Sequence, residues 1–154
     1  MMENHQRRVQ IALPPLRKYF ARVRSLVGLG EDAATIWFVD DTQMARWNRT
    51  YRGKRGTTDV LSFPSNTNGD SHARRRARSA GQSANGASDG YLGDIAISPA
   101  VARRNARRFG RTLPDELRIL VLHGLLHLMG YDHETDNGEM ARVENRLRVK
   151  LGLS

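Results

Sequence analysis

Cysteine is absent from this 154-residue chain, which excludes disulfides, thiolate zinc sites, iron–sulfur clusters and cysteine nucleophiles. The N-terminal segment holds no apolar run of signal-peptide length before Pro14 and Pro15. Nor is any helical stretch apolar enough over its length to span a bilayer. The expectation is a cytoplasmic protein with no membrane association. Hydrophobic residues make up 39% and charged residues 27%, the proportions of a globular protein rather than a collagen-like fibre or a wholly disordered chain. A chain of this length fits one domain, 1–154, and buries roughly 70% of its unfolded surface without a disulfide or metal staple.

Lysine is nearly absent too. Lys18, Lys54 and Lys150 are the only three among 25 basic residues, and the rest are arginine. With 16 acids the formal net charge is +9 and the pI is near 10.9. Arginine presents a planar fork that grips phosphate bidentately, so the balance favours polyanionic partners such as nucleic acid. A GC-rich genome and a soluble positive surface account for the composition equally well.

Five helical stretches and three strands can be read along the chain. A short apolar alternation (Val9, Ile11, Leu13) precedes a helix that starts at the proline pair, carries Leu16, Phe20, Val23 and Val27, and stops at Gly28 and Gly30. Residues 34–39 are β-branched and aromatic and form a strand. Asp40 or Asp41 caps a helix with Met44, Trp47 and Tyr51 on one face. Asp59–Phe63 is a second strand ended by Pro64, and Tyr91–Ile97 a third. Between them, residues 65–90 include no Val, Ile, Leu, Met or aromatic residue before Tyr91, too little apolar surface to offset their ordering entropy, so a mobile loop is expected. Its Arg74, Arg75, Arg76 and Arg78 suit an RNA-binding arm or a solvated insertion.

Ser98-Pro99 caps a helix to about Phe109 that displays Arg103, Arg104, Arg107 and Arg108, with Arg111 just beyond. Thr112 caps the next, Leu113 to Met129, which is apolar almost all round and belongs in the middle of a core. Gly130 ends it. A last helix starts near Asp136, with Glu139 placed as a capping-box acid, and continues through Met140, Val143, Leu147 and Leu151.

The central helix carries the chemistry. It reads His123-Gly-Leu-Leu-His127-Leu-Met-Gly-Tyr-Asp-His133. Histidines four apart project from one helix face, and a turn at Gly130 can return His133 over that face. Three imidazoles and one open position make a catalytic-type zinc site, and unpaired imidazoles in an apolar helix are costly unless something uses their nitrogens. The spacing also matches the metzincin protease helix, but those enzymes need Glu directly after the first histidine as general base, and here it is Gly124. Neutral ligands leave the full charge of the metal in place, which favours a phosphodiester oxygen over a peptide carbonyl. Three imidazoles also suit nickel or copper.

The motif HGLLHLMGYDH, with Asn48-Arg-Thr-Tyr-Arg52-Gly, Thr58-Asp-Val-Leu-Ser-Phe63 and Leu92-Gly-Asp-Ile-Ala-Ile-Ser98, closely resembles the YbeY family of bacterial ribosomal-RNA maturation factors over most of residues 33–150. The resemblance implies an α/β (α+β) domain, a small mixed β-sheet packed by about five helices with a zincin-like metal helix. It implies one Zn2+ held by His123, His127 and His133. It further implies a single-strand-specific endoribonuclease of rRNA processing and ribosome quality control, with single-stranded RNA, rRNA and the small ribosomal subunit as partners. Arg52 and His123 are the catalytic candidates. Arg52 is placed to hold the scissile phosphate or its developing charge, or else to satisfy a helix C-terminus. Asp132 and Glu134 flank the third histidine, either as hydrogen-bond partners of the ligands or a proton acceptor, or with Asp132 as a turn former and Glu134 as a solvated helix-entry residue. Asp59 and Asp94 suit orienting or turn roles. The insertion at 65–90 and a shortened N-terminus, which weakens the first strand, depart from the family pattern. A non-enzymatic ribosome-associated factor with structural zinc and a zincin-like metalloprotease are the competing readings.

Overall fold

Residues 1–65, 90–132 and 136–153 are described by the computed structural model. In chain order they form β1 (Met2–Asn4), α1 (Leu13–Leu26), β2 (Ala34–Phe38), α2 (Asp41–Arg52), β3 (Val60–Pro64), β4 (Gly93–Ile97), α3 (Pro99–Phe109), α4 (Leu113–Leu128) and α5 (Glu139–Leu151). The strands make one mixed sheet in the order β1-β2-β4-β3. β2 runs parallel to both neighbours, and β3 pairs antiparallel with β4 at the edge. This is the expected α/β mixed sheet with five helices among the described residues. The Arg-rich stretch with Arg74, Arg75, Arg76 and Arg78 lies outside the described residues.

Alternation along the strands sorts side chains between two cores. Ala34, Ile36 and Phe38 of β2 and Ile95 and Ile97 of β4 face α1 and α4, and meet Val121, Leu122, Leu125 and Leu126 in the main core. Ala96 and Leu61, on the opposite face, meet Val39 and Met44 under α2, with Trp37, Trp47 and Phe63 packed against them. As its sequence predicts, α4 is buried nearly all round.

The expected caps are in place. Asp40 Oδ1 accepts from the Gln43 amide at 2.8 Å, Ser98 Oγ from Val101 at 3.2 Å and Thr112 Oγ1 from Asp115 at 3.2 Å. Three features add to or differ from the sequence reading. The first strand is Met2–Asn4, and the Val9–Leu13 alternation leads into α1 with the Gln6 side-chain amide bonding both the N–H and the C=O of Val9. The last helix begins at Glu139 rather than Asp136, because the Asp136 carboxylate accepts from the Gly138 and Met140 amides and caps from outside. Pro64 ends β3 from within it, which an edge strand tolerates because its outward side needs no N–H.

Gly124 owes its identity to packing. A Cβ there would lie 2.8 Å from Cγ2 of Ile95, a fully buried branch methyl on β4. Alanine improves helix propensity by about 1 kcal/mol over glycine, but overpacking a dense core costs about 1–3 kcal/mol. Gly124→Ala is therefore expected to destabilise by about 1 kcal/mol, read as a lower denaturant midpoint at unchanged slope. A raised midpoint would show that α4 does not rest tightly on the sheet.

Candidate metal centre

Two of the three histidines converge on one point. His123 and His127, one turn apart on α4, stand with ring planes at 80° and their Nε2 atoms 3.1 Å apart. The other nitrogen of each ring is taken. His127 Nδ1 lies 3.0 Å from the backbone carbonyl oxygen of Tyr131, an atom that can only accept, so Nδ1 carries the hydrogen. His123 Nδ1 lies 2.8 Å from Glu144 Oε1, and an ionised carboxylate also only accepts. In their neutral forms both rings thus direct an Nε2 lone pair toward the same point. That arrangement repels unless a cation, a proton or a metal ion, sits between them. Two nitrogens at a zinc–nitrogen distance of 2.0–2.1 Å on a tetrahedron would be about 3.3 Å apart, close to the observed spacing. The donor set fits zinc, and each ring has the outer hydrogen bond that metal-ligating histidines characteristically make.

Local sequence explains how the two partners arrive. After Leu128 the chain closes in a Schellman turn: Tyr131 N–H donates to Leu126 O at 3.1 Å and Gly130 N–H to His127 O at 3.0 Å. Gly130 takes a φ of +102°, where a side chain would be strained. The turn aims the Tyr131 carbonyl back at His127. Glu144 comes from α5, packed beside α4, and is further paired with Arg148 at 3.4 Å. Burial disfavours its ionisation, but the hydrogen bond from His123, helped by Arg148, outweighs that and holds its pKa below the ordinary carboxylate value. A depressed pKa of this kind stabilises the fold above the unfolded-state value, and the contribution is lost as pH falls through the folded one.

The remaining candidates fall into two groups. His133 and Glu134 lie outside the described residues. Arg52 is the last residue of α2 and exposed, and its guanidinium forms no ion pair or hydrogen bond among the described residues. Beside it, Tyr51 meets Phe63 of β3 edge-on at 5.2 Å, and the next residue back along β3, Ser62, donates through Oγ to Gly124 O on α4 at 3.1 Å. Edge strand β3 therefore links the Arg52 end of α2 to the histidine helix. Asp94 accepts from Trp37 Nε1 at 3.0 Å and Tyr91 OH at 2.7 Å, and Asp59 accepts from Asn105 at 3.2 Å: both orient their surroundings. The Asp132 carbonyl accepts from the Asp136 amide at 3.1 Å. Arg111 leaves the exposed arginine face of α3 and pairs at 3.0 Å with buried Glu116. Sequence reasoning missed Glu144, whose only local signal is its i, i+4 relation to Arg148.

Comparison with known proteins identifies the family of the chain. The Endoribonuclease YbeY family matches residues 1–152. The chain belongs to that family. A YbeY endoribonuclease of Solibacter usitatus is 41% identical over 140 residues, covering 91% of this chain and 80% of that protein. One of Nautilia profundicola is 43% identical over 115 residues, covering 74% and 68%. The solution structure of TM1509 from Thermotoga maritima shares the fold at a TM-score of 0.61 and 24% identity, over 98% of this chain and 89% of that one. Within the family fold, the place where a metzincin carries its base is Gly124, whose missing Cβ points at Ile95. A glutamate there would run into the sheet and not toward the histidines.

If Glu144 sets the tautomer of His123, Glu144→Ala should weaken zinc binding about 10–100-fold. Glu144→Gln, which still accepts from Nδ1, should fall between it and the wild type. Competition against a chromophoric chelator measures this, and equal affinity in all three proteins would show that the carboxylate does not orient the ligand.

Proposed function

We propose that this protein is a zinc-dependent endoribonuclease of single-stranded RNA, working in the cytoplasm on rRNA with the small ribosomal subunit, in rRNA maturation and ribosome quality control. One zinc ion is held by His123, His127 and His133. The observation that carries the reading is the pair of imidazoles whose Nδ1 atoms are committed to Glu144 and Tyr131 and whose Nε2 atoms face each other at 3.1 Å.

All the ligand nitrogens are neutral donors, so the cation keeps its charge and favours the phosphodiester over an uncharged carbonyl. Bound zinc would supply Lewis-acid stabilisation of a phosphate oxygen and lower the pKa of a nearby water. The protein's own residues do the rest. Glu144 and the Tyr131 carbonyl hold the rings in the metal-binding tautomer, which saves reorganisation when the ligand arrives. His123 is partly exposed, with 29% of its side chain reached by solvent, so substrate can approach. Arg52, a fixed positive charge with no acidic partner among the described residues, takes the non-bridging oxygens of the scissile phosphate, where a positioned donor is worth about 10²–10³ in rate. The buried Gly124 backbone leaves no position for a protease base on this helix.

Cleavage of a single-stranded rRNA fragment by zinc-loaded protein tests the assignment. His127→Ala should abolish it, strong chelator should abolish it reversibly, and Arg52→Ala should lower kcat about 10²–10³-fold with zinc content unchanged. Intact zinc-loaded protein that binds the fragment and never cuts it would overturn the enzyme reading in favour of a ribosome-associated factor with structural zinc.

A further inference from the structure

The outward face of α2 carries a feature that the histidine centre does not use. Arg46 and Arg49, one turn apart, and Arg55, on the loop that returns from the helix, line an open groove of about 840 Å³ with Thr42, Thr50 and Gly56. All three guanidiniums are exposed, and none makes an ion pair or side-chain hydrogen bond among the described residues. Described acids do not line the groove. Arg49, in the last turn, complements the helix dipole, but that accounts for neither Arg46 nor Arg55. Like charges this close on a helix destabilise it by a few tenths of a kcal/mol.

The groove is built into the fold. Gly53 takes a φ of +64° and ends α2, and the buried Asn48 side chain donates to Gly56 O at 3.0 Å while its backbone carbonyl accepts from Lys54 at 3.3 Å. These bonds hold the loop, and with it Arg55, against the helix face that presents Arg46 and Arg49. Three guanidinium forks and two hydroxyls along an open channel match successive phosphates of a nucleic-acid strand. They do not match the apolar walls of a small-molecule pocket.

Resting on the endoribonuclease reading, we infer that this groove is a second RNA-backbone site, which holds the substrate strand away from the cut. The strand reaches it across edge strand β3, which meets α2 through Phe63 on one face and α4 through Ser62 on the other. Binding here is independent of sequence, because it contacts phosphates and not base edges.

The test is a length series of fluorescein-labelled oligouridylates, titrated at several salt concentrations against zinc-loaded wild type and a triple variant, Arg46→Gln/Arg49→Gln/Arg55→Gln. An equal-charge control removes Arg103, Arg107 and Arg108 from α3 instead. The groove variant should lose on the order of tenfold to a hundredfold affinity for the longer oligomers, with a salt slope shallower by about 0.7 per lost phosphate contact. Its KM for long RNA should rise while kcat on the shortest cleaved oligomer is unchanged. An equal loss in the α3 control would overturn the inference, since a diffuse positive field would then explain the binding. Unchanged affinity in a groove variant that still cuts RNA would overturn it too, and would leave the groove to an acidic protein surface. Wild type that neither binds nor cuts the oligomers would overturn the endoribonuclease reading and this inference together.

Discussion

The close approach of His123 and His127 is the constraint on which the candidate centre depends. Two imidazoles with Nε2 atoms 3.1 Å apart are unfavourable without a cation between them, and each ring is denied an easy escape. A flip of His127 would abandon the Tyr131 carbonyl, and a flip of His123 would abandon Glu144. Each anchor in turn needs a separate part of the fold. The Tyr131 carbonyl needs the left-handed turn at Gly130, and Glu144 needs α5 lying beside α4. The same helix lies close on the sheet at Gly124, where a Cβ would crowd Ile95.

Charge then separates this centre from a protease built on the same histidine spacing. Neutral ligands leave a bound divalent ion its full charge, and the chain as a whole carries a net charge of +9. Both effects draw a polyanion and do little for a peptide. Edge strand β3 supplies the geometry, since its alternating side chains connect the arginine-bearing helix on one face of the sheet with the histidine helix on the other.

How far these features were readable from the amino acids depends on how local their causes are. The i, i+4 spacing of His123 and His127 is a property of any α-helix, so their convergence could be read directly. So could the caps at Asp40, Ser98 and Thr112, the five helices and the burial of α4, whereas the mixed sheet followed only from the family resemblance. Glu144 could not, because its role comes from the crossing of α5 over α4, 21 residues further on. Gly124 was legible as a missing base but not as a packing contact, which requires knowing that Ile95 lies beneath it. The strand at Met2–Asn4 was not legible, because three residues carry too little pattern and its pairing with β2 is a long-range contact.

Nitrogen-15 NMR of the histidine side chains on zinc addition tests the tautomer argument most directly. Without metal, at a pH where both rings are neutral, His123 and His127 should each show a protonated Nδ1 and an unprotonated Nε2. Zinc should shift both Nε2 resonances while both Nδ1 atoms keep their hydrogens. Metal on an Nδ1 atom, or Nε2 resonances that do not respond to zinc, would contradict the account.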